Sequence, residues 1–124
     1  MTFLDTHVVV WLYAGLAEKF SAVIRNLLNE TDILVSPITR LELQFLFEIQ
    51  RITEEPDVIL SDLADRIGLA VSGAGFNSVI GGALRIDWTR DPFDRIIVAE
   101  AGLTGSVLVT KDQTILTHYP HARW

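Results

Sequence analysis

The chain has 124 residues, 49% hydrophobic and 21% charged, with a formal net charge of −6 and no cysteine, a composition that fits one globular domain with its own core. It excludes disulfides, thiolate metal sites and cysteine nucleophiles, and a protein that coats nucleic acid through a broad basic face, since such binding rests on phosphate neutralisation. No apolar run approaches the ~18 residues of a membrane span, and no basic region precedes the first apolar stretch, so a cytoplasmic protein without a secretory signal is expected.

Thr2-Phe3-Leu4 is a short apolar run that ends at Asp5. From His7 to Tyr13 the chain is apolar on nearly all sides, so period alone does not separate strand from buried helix. A three-residue strand with Asp5 at its carboxyl end and a helix after it is the reading taken, with Gly15 closing the helix. From Ser21 a helix is clearer, with Phe20, Val23, Ile24, Leu27 and Leu28 on one face. Ile33-Leu34-Val35-Ser36 reads as a buried strand stopped by Pro37, and a helix follows to about Arg51. Its stripe of Ile38, Leu41, Phe45, Leu46 and Ile49 brackets an acid, Glu42, while Leu43 and Phe47 widen the apolar surface beyond one stripe.

Pro56 opens another amphipathic helix with Ile59, Leu60, Leu63, Ala64 and Ile67 inside, and Gly68 suits its left-handed C-terminal position. Leu69-Ala70-Val71 reads as a brief strand. Phe76 to Leu84 reads as a weak helix interrupted by Gly81-Gly82. Asp91-Pro92 then starts a helix running to about Gly102. Asp91 is a good N-cap and Pro92 falls at the first helical position. Counting by three and four gives Asp94, Ile97, Val98 and Ala101, so Asp94 lies in line with the apolar stripe. Val107 to Thr110 is a β-branched strand with Asp112 just past its end, and the tail around Tyr119, Pro120 and Trp124 offers a short last strand. His118 and His121 read as surface residues.

Short apolar strands alternating with helices predict an α/β fold, a short parallel sheet covered by helices on both faces. Ligands in such folds sit at the carboxyl ends of the strands. Asp5 and Asp112 lie at strand ends, and Glu42 and Asp94 lie in early turns of helices that follow strands. Each acid has a plainer explanation. Asp5 can cap a helix, Asp94 can join a capping box, and Asp112 can serve a turn; Glu42 alone has no capping role. Gathered together they need an offset, because two carboxylates ~5 Å apart repel by roughly 3 kcal/mol at an effective dielectric near 20. Oxygen-only ligands suit Mg²⁺ or Mn²⁺, which support phosphodiester hydrolysis. Arg40, Arg90, Arg95 and Lys111 stand near the acids in sequence and are candidates to meet the backbone of a phosphodiester substrate.

Leu4-Asp5-Thr6-His7, Val35-Ser36-Pro37-Ile38-Thr39 leading to Glu42, the run from Asp91 to Ala101, and Leu108-Val109-Thr110-Lys111-Asp112 resemble the PIN domain, and more narrowly the VapC-type toxins of toxin–antitoxin pairs. The likeness spans almost the whole chain, and Asp-Pro-Phe-Asp-Arg is its most specific part. It implies a PIN-like three-layer fold and a metal-dependent endoribonuclease. The acids matching Asp5, Glu42, Asp94 and Asp112 would form the metal pocket, Asp5 and Asp94 foremost as direct ligands, with Thr6 and Thr110 as hydroxyl partners; Asp91 is a weaker candidate. A homodimer that binds an antitoxin across the apolar helix surface is expected from Leu43 and Phe47. Two other readings compete. A phosphorelay receiver needs paired acids after its first strand, and Asp5 stands alone. A catalytically inactive PIN-like module that holds a protein partner would not need the full acid set.

Overall fold

Thr2–Leu4 (β1) is the central strand of the molecule, and its alternation divides the core. The structure is a computed structural model describing Met1–Trp124. Phe3 and Leu4 are both buried, and successive side chains of a strand point to opposite faces. Leu4 joins Val8, Val9, Val35, Leu43, Leu63 and Val109 on one side of the sheet. Phe3 joins Ile97, Val98, Leu108, Ile115 and Tyr119 on the other.

The remaining elements are α1 (Thr6–Tyr13), a 3₁₀ turn (Ala17–Lys19), α2 (Ala22–Glu30), β2 (Ile33–Val35), α3 (Pro37–Glu48), α4 (Pro56–Ile67), β3 (Ala70–Val71), α5 (Phe76–Ala83), α6 (Pro92–Leu103), β4 (Val107–Val109), α7 (Gln113–His118) and β5 (Ala122–Arg123). The five strands lie in the order β3-β2-β1-β4-β5, all parallel. Thr2 pairs with Ile33 on one side and with Val107 on the other. The expected helix–sheet–helix architecture is present. The chain leaves β1 toward β2 but leaves β4 toward β5, so a crevice opens between the carboxyl ends of β1 and β4.

Local chemistry sets the helix starts. Pro37, Pro56 and Pro92 each occupy a first helical position. Ser36, Asp91 and Asp112 cap α3, α6 and α7 through their side chains.

Several expectations about facing are corrected. On α3, Leu41, Phe45 and Ile49 are exposed, whereas Leu43 is fully buried with Thr39. The most apolar stripe therefore faces outward, because the face that packs against α1, α4 and α6 is narrower. Val23 is exposed at the outer side of α2, and Ala64 and Ile67 lie outside on α4. α3 ends at Glu48, short of Arg51, and Gln50 turns left-handed with φ 63°. α5 runs unbroken through its glycines. A Cβ on Gly82 would stand 3.3 Å from Ala99 Cβ, so the missing side chain lets α5 approach α6 closely. α7 has no counterpart among the expected elements; Asp112 is its N-cap rather than a turn acid.

Candidate metal centre

Asp5 occupies the crevice between β1 and β4, and three neighbours fix it. The Thr6 amide donates to Oδ1 at 2.8 Å, and the Thr110 hydroxyl, from the strand beside it, donates to Oδ2 at 2.7 Å. His7 Nδ1 is 3.5 Å from Oδ2. The Lys111 amide donates to His7 Nε2 at 2.9 Å, which leaves the ring proton on Nδ1, facing Asp5. Burial lowers the His7 pKa, and Lys111 adds to this, against the opposing pull of Asp5 and Asp112.

The other acids arrive on helix starts. Asp112 spends Oδ1 on the Thr114 and Ile115 amides, and its own amide donates to Thr110 Oγ1 at 3.0 Å. Asp91 spends Oδ1 on the amides of Phe93 and Asp94. Each keeps its second carboxylate oxygen clear of that capping role. Asp94 stands in the first turn of α6 and Glu42 in the second turn of α3. With Asp5 they line one cleft of about 380 Å³.

The electrostatics of that cleft are unbalanced. Asp94 is pushed up from 3.8 to about 7, first by burial and then by Asp5, Asp91, Asp112 and Glu42. Glu42 is also raised, first by burial and then by Asp5 and Asp91, with the Thr6 hydroxyl offsetting part of it. Glu42 Oε1 is buried without a hydrogen-bond partner. A buried, unpartnered carboxylate oxygen among hard oxygen donors fits a divalent cation such as Mg²⁺ or Mn²⁺. As the side chains stand, no three acids or imidazoles close around a single point, and the repulsion that raises Asp94 and Glu42 acts against such closure.

The basic residues named from sequence are placed differently. Arg40 forms a bidentate pair with Asp57 at 3.0 Å, outside the cleft. Arg90 donates to Asp87 O and Arg95 to Thr89 O, so both brace the loop before α6. Lys111 lies at the edge, its Nζ over the Trp11 ring. Arg51, His7 and Trp11 line the cleft, and sequence reasoning missed all three. Only the Asp-x-His spacing after the first strand hinted at His7. Glu100 was also missed. It is buried on α6, takes a 2.6 Å hydrogen bond from Ser36 Oγ, and leaves Oε2 without a partner.

Comparison with known proteins gives a family and a fold. The model described as PIN domain matches residues 2–120. Among solved structures, VapBC2 from Rickettsia felis bound to a DNA fragment from their promoter is similar with a TM-score of 0.70 at 17% identity, covering 99% of this chain and 98% of that one. No curated protein matches the chain in sequence. With the acids at the carboxyl edge of its parallel sheet and a family match from end to end of that sheet's core, the chain belongs to the PIN domain family.

Proposed function

We propose that the chain is a Mg²⁺- or Mn²⁺-dependent endoribonuclease that hydrolyses RNA phosphodiester bonds, acting as the toxin of a toxin–antitoxin pair. One observation carries the chemistry: Asp5, Glu42, Asp91, Asp94 and Asp112 share a cleft in which Asp94 is held near pKa 7 by burial and by the other four. A protein that kept these acids for stability alone would pair them with cations, yet of the five only Asp5 has such a partner, His7, while Arg40 and Arg66 pair with Asp57 and Asp62 elsewhere. The VapBC2 name of the similar structure supports the toxin reading and an antitoxin partner.

In this reading Asp5, Glu42, Asp94 and Asp112 hold the cation, with Asp91 at the rim. When bound, such an ion polarises the scissile phosphate, makes water nucleophilic near neutral pH and stabilises the leaving oxygen. The chain's own part is orientation. Thr110 and the Thr6 amide keep both oxygens of Asp5 aimed, and the Thr110 hydroxyl also receives the Asp112 amide, so one side chain sets two acids. A cation held there would favour the ionised form of Asp94, which burial and its acidic neighbours otherwise disfavour. His7 holds the loop at Lys111 against the start of α1.

Thermal unfolding with and without millimolar Mn²⁺, on wild type and Asp5→Ala, tests the metal pocket without any guess about substrate. A ligand of the native state raises stability by ~2.7 kcal/mol at a hundred times its Kd. An upward shift of several degrees in wild type, lost in Asp5→Ala, is expected, together with Mn²⁺-dependent cleavage of RNA. No shift in wild type would remove the proposal.

The partners follow from the outer face of α3. Leu43 is packed in the core and Phe47 is half-buried, so the homodimer expected from them is placed in this proposal on Leu41, Phe45 and Ile49 instead, with Phe93 stacked on Phe45 at 6.2 Å. Sedimentation at micromolar concentration is expected to give a dimer, and Phe45→Glu a monomer. A monomeric wild type would refute this interface.

A further inference from the structure

Only two lysines occur in this acidic chain, Lys19 and Lys111. Both lie against one indole. Lys19 Nζ is 4.8 Å from the Trp11 ring centroid and Lys111 Nζ is 5.9 Å from it. Lys19 comes from the 3₁₀ turn and Lys111 from the loop after β4, so nothing in the local sequence pairs them. The ring is half-buried and supported from within. Trp124 stands 5.5 Å away, Phe20 6.5 Å, and His7 meets it edge-on at 4.9 Å.

Trp11 also forms part of the apolar wall of the acidic cleft, beside Val10 and Ile52. Arg51 sits on the same wall. It is placed there by the close of α3, where its amide bonds Leu46 O at 2.8 Å and the Gln50 amide bonds Phe47 O at 3.1 Å. This reversal requires the left-handed Gln50, a conformation uncommon for a residue with a side chain. Arg51 takes part in none of the chain's ion pairs, although five acids share its cleft.

One lysine over an indole is ordinary surface packing. Two lysines from separate segments, with an unpaired arginine on the same wall, give something more specific. The cleft is acidic on one side and on the other carries Trp11 and Arg51, with two ammonium groups over the Trp11 ring. Single-stranded nucleic acid needs that combination, since bases stack on aromatic rings while Lys and Arg track the phosphates.

We propose that Trp11, over whose ring the Lys19 and Lys111 ammonium groups lie, is a stacking subsite for one nucleobase of single-stranded RNA that displaces them from the ring toward its phosphates, adjacent to the phosphate held at the acids, with Arg51 meeting the backbone on that side. The proposal rests on the nuclease reading of the acidic cleft and deepens it. Stacking tolerates any base, because every base has a π-face, so the subsite selects an unpaired nucleotide rather than a sequence. Bases within a duplex are already stacked and paired, and do not reach the ring.

The test is binding of a ten-nucleotide single-stranded RNA in millimolar Mg²⁺, read by fluorescence anisotropy. Asp94→Asn is the common background, so that cleavage does not consume the probe. Trp11→Leu is expected to weaken binding by about 10- to 100-fold and Trp11→Phe by no more than about threefold. A ribose-phosphate strand of the same length without bases should bind the parent and the Trp11→Leu variant alike. The surface pair Lys19→Gln with Lys111→Gln should flatten the dependence of log K on log salt by about 1.4, at roughly 0.7 per phosphate contact. Equal affinity of Trp11→Leu and its parent, or an equal loss with the base-free strand, would overturn the subsite. So would a Trp11→Phe that loses as much as Trp11→Leu. Cleavage is measured separately on the otherwise wild-type chain. Base-dependent binding without cleavage would keep the subsite and end the nuclease reading; cleavage indifferent to Trp11 would do the reverse.

Discussion

Asp94→Asn is expected to reduce metal-dependent RNA cleavage by about a thousandfold or more, the loss of roughly 4 kcal/mol of transition-state stabilisation from a cation no longer held in place. The same substitution is expected to make the metal-free protein more stable at neutral pH. Asp94 is raised from 3.8 to about 7 by burial and by its acidic neighbours, so the fold favours its protonated form. That contribution is complete below the unfolded-chain value near 3.8 and is lost as pH rises toward about 7. Above that, ionised Asp94 costs the metal-free fold on the order of 2 kcal/mol after discounting for its contact with solvent. Melting curves of the apo protein from pH 4 to pH 8 should fall more steeply for wild type than for Asp94→Asn, with the variant melting several degrees higher at pH 8. Coincident curves would mean that Asp94 ionises without strain.

Cation binding carries the same signature. A cation that binds ionised Asp94 displaces a proton below pH 7, so Mn²⁺ affinity should rise as pH increases from 5 to 7 and level off above it. The high-pH cost in the apo protein and the high-pH gain in metal affinity have one cause. A fold that assembles several acids becomes less stable in order to become selective for a divalent ion, and activity and stability pull in opposite directions there.

Ser36→Ala is expected to destabilise the protein by about 2–4 kcal/mol, combining a lost N-cap with a buried carboxylate oxygen left without its donor. Ser36 is fully buried, and its Oγ accepts from the Ile38 amide at 3.2 Å while donating to Glu100 Oε1 at 2.6 Å. The bond ties the N-cap of α3, the helix that carries Glu42, to α6, the helix that carries Asp94. Chemical denaturation of Ser36→Ala, Glu100→Gln and the double variant measures the coupling, and neighbours in one hydrogen-bond network interact by about 0.5–3 kcal/mol. A loss below about 0.5 kcal/mol in Ser36→Ala would show that Glu100 is satisfied some other way.

Much of this molecule follows from local sequence. The strand at Thr2–Leu4 is apolar at every position and ends at an acid, and Asp91-Pro92 and Ser36-Pro37 announce their helices by capping chemistry alone. Because strands and helices alternate, the sheet had to be parallel, and a parallel sheet places its strand-end acids on one edge. Asp5, Glu42, Asp94 and Asp112 were therefore recognisable as one group, and they do line one cleft. The strand and helix signals among these depend on residues within a few positions of one another.

The tertiary structure decided what periodicity cannot express. An apolar stripe on α3 says that the helix wants a partner, not that the partner lies in the same chain. Leu41, Phe45 and Ile49 remain exposed, while Leu43 takes the core. Glu100 met Ser36 only because α6 passes the start of α3. His7, Trp11 and Arg51 came to one cleft wall, with Lys111 at its edge, through the strand order and a left-handed turn at Gln50. Sequence patterning is a short-range record of what each segment prefers, whereas the neighbours of a side chain are set by how the sheet is ordered, which involves contacts between residues a hundred positions apart, as between Asp5 and Thr110.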